Sequence, residues 1–245
     1  MVMKCLRSAM KSKAKAALFM LVLGLMLLPF GLEAASGKSS GRIDYPLASG
    51  TRWIFHLHEE LGQGVRFNGL LAKFAKGEVL DDTVVSQVAG TDTINREEYV
   101  RVDSRLGGEL WLQEWYRFGT DGFFHGKSLD HDSGEETLMV PPQKLLSPKL
   151  RTGESWTWKA SKAPVRMQVK VVGPATIIVP AGTFQTTEIS YDTTVQVEGN
   201  TVNVRQHRWF AAGVGYVRQE TRTLVGKRMI NNVILTLEKF ERAGK

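Results

Sequence analysis

Beyond Cys5 the chain has no cysteine, and Cys5 precedes the first apolar run. A lipid-attachment cysteine would follow such a run, so that anchor is not expected. A chain without disulfides has to be held together by its core alone, even in an oxidising compartment. A strong charge of one sign is missing too. The whole chain carries +7, but residues 1–35 hold five basic residues and one acid, leaving 27 basic and 24 acidic residues and a net +3 beyond them. That balance argues against a nucleic-acid binder, which would show a concentrated basic face. Ordinary amphipathic helices are absent from the pattern, as is any nucleophile motif in a suitable setting. Gly37-Lys38-Ser39-Ser40-Gly41 matches Gly-x-Ser-x-Gly, but a nucleophile elbow needs a strand before it and a helix after it. No cofactor motif is present, and no cofactor is expected.

What is present begins with an address. Lys4, Arg7, Lys11, Lys13 and Lys15 precede an apolar run from Ala16 to Leu32, and Ala34, Ala35 and Ser36 follow it. Basic, apolar and small residues in that order describe a secretory signal peptide over 1–35, cut after Ala34 or Ala35. The rival is an uncleaved anchor, since the run approaches spanning length. Once the signal is removed, no transmembrane segment is expected. Residues 36–43 form a polar tether, and 44–242 read as one antiparallel β domain with possible halves 44–146 and 147–242.

Period-two alternation fills that domain. Trp53, Phe55 and Leu57 fall on one face of a strand, with Arg52, His56 and His58 on the other. Val195–Glu198 and Thr201–Val204 flank Gly199-Asn200 as a two-residue hairpin. One short helical turn is expected around Gln143–Leu146. An internal echo runs through the chain: Leu47-Ala48-Ser49-Gly50-Thr51-Arg52-Trp53 matches Leu150-Arg151-Thr152-Gly153-Glu154-Ser155-Trp156 as Leu-x-(Ser/Thr)-Gly-x-x-Trp. The fold class is all-β, an antiparallel sheet curled into an open barrel, with two similar β-units.

Candidate chemistry is sparse. His56 and His58 lie two apart on one strand face, a spacing able to present two imidazoles to one metal, with a third ligand from His125, His131 or His207. The bland reading places them on the polar side of a half-exposed strand. Asp130-His131-Asp132-Ser133-Gly134-Glu135-Glu136 is loosely calcium-loop-like but lacks the full set of acids; a solvated acidic loop is the default. Most of the six tryptophans should be core anchors. The strand Trp111-Leu112-Gln113-Glu114-Trp115-Tyr116 carries more aromatic surface than a one-sided sheet requires, with Trp111 and Trp115 expected on one face. Trp111, Trp115 and Tyr116 are therefore the candidate ligand contacts.

Four segments also carry a resemblance: Tyr45-Pro46-Leu47-x-x-Gly50-x-x-Trp53, Leu150-x-x-Gly153-x-x-Trp156, Val179-Pro180-Ala181-Gly182-Thr183-Phe184 and Trp209-Phe210-Ala211-x-Gly213-Val214-Gly215. Together they resemble a family of exported bacterial proteins, some called TapB-like, over about Tyr45 to Phe240. The resemblance implies an open antiparallel barrel loosely similar to periplasmic lipoprotein carriers, and it implies no catalytic residues. Ala212 stands where such proteins often have proline. The leading expectation is an exported periplasmic or extracellular β-protein of the cell envelope, binding an apolar small molecule or another envelope protein. The alternatives are a metal-assisted hydrolase using His56 and His58, and a structural subunit of a surface or secretion assembly.

Overall fold

The computed structural model describes residues 45–197 and 199–244. The signal segment, the tether and the Gly37–Gly41 motif lie outside the described residues. Twelve strands form one antiparallel sheet: β1 (Arg52–Leu61), β2 (Val79–Ile94), β3 (Glu97–Leu106), β4 (Glu109–Gly119), β5 (Gly122–Asp130), β6 (Glu135–Leu146), β7 (Ser155–Lys159), β8 (Val165–Val179), β9 (Gly182–Val197), β10 (Asn200–Ala211), β11 (Gly215–Val225) and β12 (Arg228–Glu241). Their order in the sheet is β6-β5-β4-β3-β2-β1-β12-β11-β10-β9-β8-β7. Two six-stranded meanders thus join where β1 pairs with β12. The sheet curls until β6 and β7 face each other, giving a nearly closed barrel with one unsealed seam.

Alternation decides which side chains fill the barrel. In β1, Trp53, Phe55 and Leu57 are fully buried while Arg52, Ile54, His56 and His58 are only half covered. Each such buried apolar side chain contributes about 1.5–3 kcal/mol.

The two meanders repeat each other in detail. Gly50 N–H donates to Val88 O at 2.9 Å and Val88 N–H to Thr51 O at 2.9 Å; Gly153 N–H donates to Val171 O at 2.9 Å and Val171 N–H to Glu154 O at 2.9 Å. Both glycines have positive φ, +89° and +85°, a conformation that penalises any Cβ. The shared Leu-x-(Ser/Thr)-Gly-x-x-Trp residues therefore build the same turn twice. β2 then bulges at Ala89, between Val88 and Gly90, and β8 at Val172, between Val171 and Gly173. From these points matching rows cross the sheet: Val88–Val102–Glu114–Ser128 in the first meander and Val171–Ile189–Arg208–Gln219 in the second.

Two local expectations are displaced. Gln143–Leu146 is strand, because His125 and Phe123 of β5 pair with Gln143 and Leu146. The helix is α1 (Gly69–Phe74), which buries Leu70 and Leu71. In the Pro180 hairpin, Val179 pairs with Gly182, so Pro180 and Ala181 are the central residues and Gly182 is the fourth. Likewise Val197 pairs with Asn200, moving that turn one residue ahead of Gly199-Asn200. Inter-strand register, invisible locally, fixes both turns.

Two equivalent hairpins at one end of the barrel are placed differently. The Pro180 hairpin folds inward, burying Val179 and Ala181, and Ala181 N–H donates to Leu237 O at 3.2 Å. Its counterpart at the β2–β3 tip turns on Asn95 and Arg96, both of positive φ and both exposed.

Candidate ligand site in the barrel interior

Strand parity sends two charged residues inward. On β4, Glu114 lies in phase with Leu112 and Tyr116; on β10, Arg208 lies in phase with Val204, Gln206 and Phe210. They are 1% and 2% exposed and occupy equivalent positions of the two repeats. The Arg208 guanidinium stands 5.2 Å from the Tyr191 ring centre and 5.1 Å from that of Tyr216. Its Nε–H donates to Gln219 Oε1 at 2.9 Å, and Gln219 and Gln206 both donate to Thr221 Oγ1. Across the lumen the Tyr45 ring stacks on Phe123 at 4.3 Å, and Tyr116 lies against Phe123 and His125. His125 Nε2 lies 2.8 Å from Lys127 O, to which it donates, and 3.8 Å from Glu114 Oε1.

Burial sets the protonation of this belt. It pushes the Glu114 carboxyl up to about 8, against the opposing pull of the Tyr116 hydroxyl and Arg208. It pushes His125 down to about 4, although hydrogen bonds to Lys127 O and Gln143 favour the cation. At neutral pH the Glu114–His125 contact is therefore mainly acid against neutral imidazole rather than an ion pair. Nearer the β1–β12 junction, burial lifts Glu59 to about 7, and Asn231 Nδ2 donates to its Oε1 at 2.7 Å. The lumen thus combines stacked aromatic rings with a belt of buried hydrogen-bonding groups. Such a lining can hold a molecule with apolar and polar parts.

The sequence-selected residues separate. Ser104 pairs with Leu112 and Arg105 with Leu110, leaving Trp111 as an extra residue that joins the core beside Leu112. Tyr116 also faces the lumen. Trp115 lies outside that core cluster: Lys127 Nζ stands 4.6 Å from its ring centre, and its Nε1–H donates to Asp92 Oδ2 at 2.8 Å. The bulge breaks the i, i+4 relation, so Trp111 and Trp115 do not share a face.

His56 and His58 do lie together on the outer face. Asp81 reaches both, at 3.2 Å to His56 Nε2 and 3.0 Å to His58 Nδ1, while Glu60 lies 3.3 Å from His58 Nε2. Its hydrogen bond to Asp81 raises the His58 pKa, and Glu60 adds to the effect. Both nitrogens of His58 are engaged by carboxylates, an arrangement suited to an imidazolium rather than a ligand. His125 is inside the barrel, His131 bonds Gln113, and His207 bonds Glu188 on a strand three places from β1. Among the described residues no group of three or more His, Cys, Asp or Glu side chains could hold a metal ion. In the acidic loop, Asp130 Oδ1 accepts from Asp132 and Ser133 N–H, and Asp132 Oδ1 caps α1 by accepting from Leu70 N–H at 2.8 Å. A Cβ on Gly69 would overlap the Asp132 carboxylate, which is why glycine precedes Leu70.

Sequence reasoning passed over Glu114, Arg208 and Tyr45, and it named His125 only as a third metal ligand beside His56 and His58. The available signal was parity: Glu114 and Arg208 each occupy an apolar phase of their strand.

The seam is the other component of the site. β6 carries Pro141 and Pro142, which lack N–H groups, within a bulge between Leu138 and Gln143. Side chains span the gap. Trp156 Nε1–H donates to Lys144 O at 3.0 Å, Trp158 Nε1–H to Pro141 O at 2.9 Å, and Tyr191 OH to Leu145 O at 3.1 Å. One backbone bond, from Ser161 N–H to Val140 O at 2.7 Å, joins them.

A DUF3108-like family model matches residues 156–231, a span within the second meander. Among solved structures, the chain is similar to a Bacteroides fragilis protein assigned as exported with a YmcC-like fold, at 14% identity and TM-score 0.46, covering 82% of this chain and 99% of that one. It is also similar to a Parabacteroides distasonis protein assigned as a lipoprotein, at 15% identity and TM-score 0.45, covering 83% and 100%. Similarity at this level says nothing about activity. No curated protein matches the chain in sequence. Among the described residues no helix is long and apolar enough to cross a membrane.

Proposed function

We propose that the chain is an exported binding protein of the cell envelope whose barrel lumen receives a largely apolar small molecule. One observation carries this reading: a single curled sheet of twelve strands encloses an aromatic-lined interior. Around eight strands, a barrel's own side chains fill its interior; wider barrels tend to hold cavities, ligands or plugs. Export is supported by the basic–apolar–small order of residues 1–36, in keeping with the resemblance to TapB-like exported proteins. Native mass spectrometry of the protein purified from its producing cell, with titration of environment-sensitive apolar fluorophores, tests the reading. A co-purified small molecule, or saturable uptake near one per chain, is expected. A bare mass with no uptake of any apolar fluorophore contradicts it.

A further inference from the structure

The repeat makes β7 the counterpart of β1 and β6 the counterpart of β12. A fully symmetric barrel would therefore zip β6 to β7 as it zips β12 to β1. It does not. Pro141 and Pro142 remove ladder donors, the bulge at residues 139–142 spoils register, and β7 has 5 residues where β1 has 10. Edge prolines also discourage an added strand, which argues against a peptide completing the sheet here.

The seam has a distinctive lining and rim. Behind it lie Met139, Met167, Leu145, Leu146 and Trp158, all buried; methionines adapt to irregular apolar shapes. Around it, residues 143–170 hold seven basic residues and one acid, Glu154. Six of the seven, including Lys159 and Lys162, are exposed; Lys144 is half-buried, its Nζ 5.7 Å from the Trp156 ring centre. The strands of the welded junction, by contrast, hold Arg52, Arg228 and Lys239 against Glu59, Glu60, Glu238 and Glu241.

Resting on the binding reading above, we infer that the β6–β7 seam admits a monomeric long-chain carboxylate: the acyl chain passes between the strands and the acid group stays at the rim with Lys144, Lys159 and Lys162. The indole N–H bonds of Trp156 and Trp158 form the latch. Opening the seam breaks these two bonds together with those from Ser161 N–H to Val140 O, Tyr191 OH to Leu145 O and Gln143 Nε2 to Met167 Sδ, and it leaves the β ladders intact.

The test is uptake of a dansyl-labelled long-chain fatty acid, its methyl ester, and anionic phospholipid vesicles by the chain carrying Cys5→Ser. Val140→Cys with Ser161→Cys places a disulfide across the one backbone bond. Oxidation is expected to block uptake and reduction to restore it. Lys144→Gln, Lys159→Gln and Lys162→Gln together should weaken the acid by roughly tenfold, as two exposed charge contacts and one half-buried one imply, and leave the ester unchanged. Should the cysteine pair fail to fold, Trp156→Phe with Trp158→Phe replaces it, with faster uptake expected. Uptake by the parent that neither the lock nor the latch variant alters refutes the seam inference alone. Binding of vesicles without the monomeric acid refutes it as well, and no uptake of any kind refutes the binding reading with it.

Discussion

Where β1 meets β12, paired register runs from Arg52–Glu241 to Leu61–Asn231 with one bulge, and Phe55 stacks on Tyr216 behind it at 5.6 Å. Where β6 meets β7, among the described residues, one backbone bond and four side-chain bonds span a proline-bearing edge. Both places join the same two repeated units. The difference shows that a repeated sheet can be fastened unevenly: one junction is zipped along its length, and the other is held at a few points. Trp53 and Trp156 make this concrete. They end the same motif, yet Trp53 is fully buried in the core whereas half-buried Trp156 reaches across to a carbonyl of the opposing edge.

The buried acid and the buried cation at equivalent positions, Glu114 and Arg208, offer the largest effect. The raised Glu114 pKa means that the folded protein keeps a proton that the unfolded chain releases in the ordinary carboxylate range. Its contribution is complete below that range and is lost as pH rises toward about 8. From 4.5 to about 8 the swing is about 5 kcal/mol at most. Denaturant melts between pH 5 and 8 should show stability falling as pH rises. Glu114→Gln should make that fall shallower and leave a residual slope from Glu59 and Glu135, opposed by His125; an unchanged slope would mean that Glu114 is already ionised.

A proline contrast comes next. His56→Pro places in central β1 what β6 tolerates at Pro141, and it should cost roughly 3 kcal/mol through a lost ladder bond and steric clash. If chemical denaturation shows less than 1 kcal/mol, the β1–β12 junction is not the stronger one. Trp158→Phe keeps an aromatic ring, loses the pyrrole half of the buried indole and removes the donor to Pro141 O; about 1–2 kcal/mol is expected, seen mostly as faster amide exchange near the seam. At the free β2–β3 tip, Arg96 has φ +69°, so Arg96→Gly should stabilise by about 0.5 kcal/mol in thermal melts. In the docked hairpin the glycine stands one position later, at Gly182, φ +134°.

Much of this architecture was legible in the sequence. Alternation gave the strands, and the Leu-x-(Ser/Thr)-Gly-x-x-Trp echo marked two turns with the same hydrogen bonds. The turn expected at Gly199-Asn200 slipped by one residue because register is set by partners far along the chain. The separation of Trp111 from Trp115 was hidden because a bulge leaves no local signature. The Glu114–Arg208 correspondence needed both meanders in register before it could be seen. His56 and His58 met as expected, but only the fold revealed Asp81 between them.

Native-state hydrogen exchange, resolved by segment, tests the contrast between the two junctions most directly. Amides of β1 and β12 should exchange only with global unfolding. Those of β6 from Met139 to Leu146 and of β7 should exchange through local opening, at least about a hundredfold faster, as expected for a weakly fastened edge. Equal protection at both junctions would contradict the account.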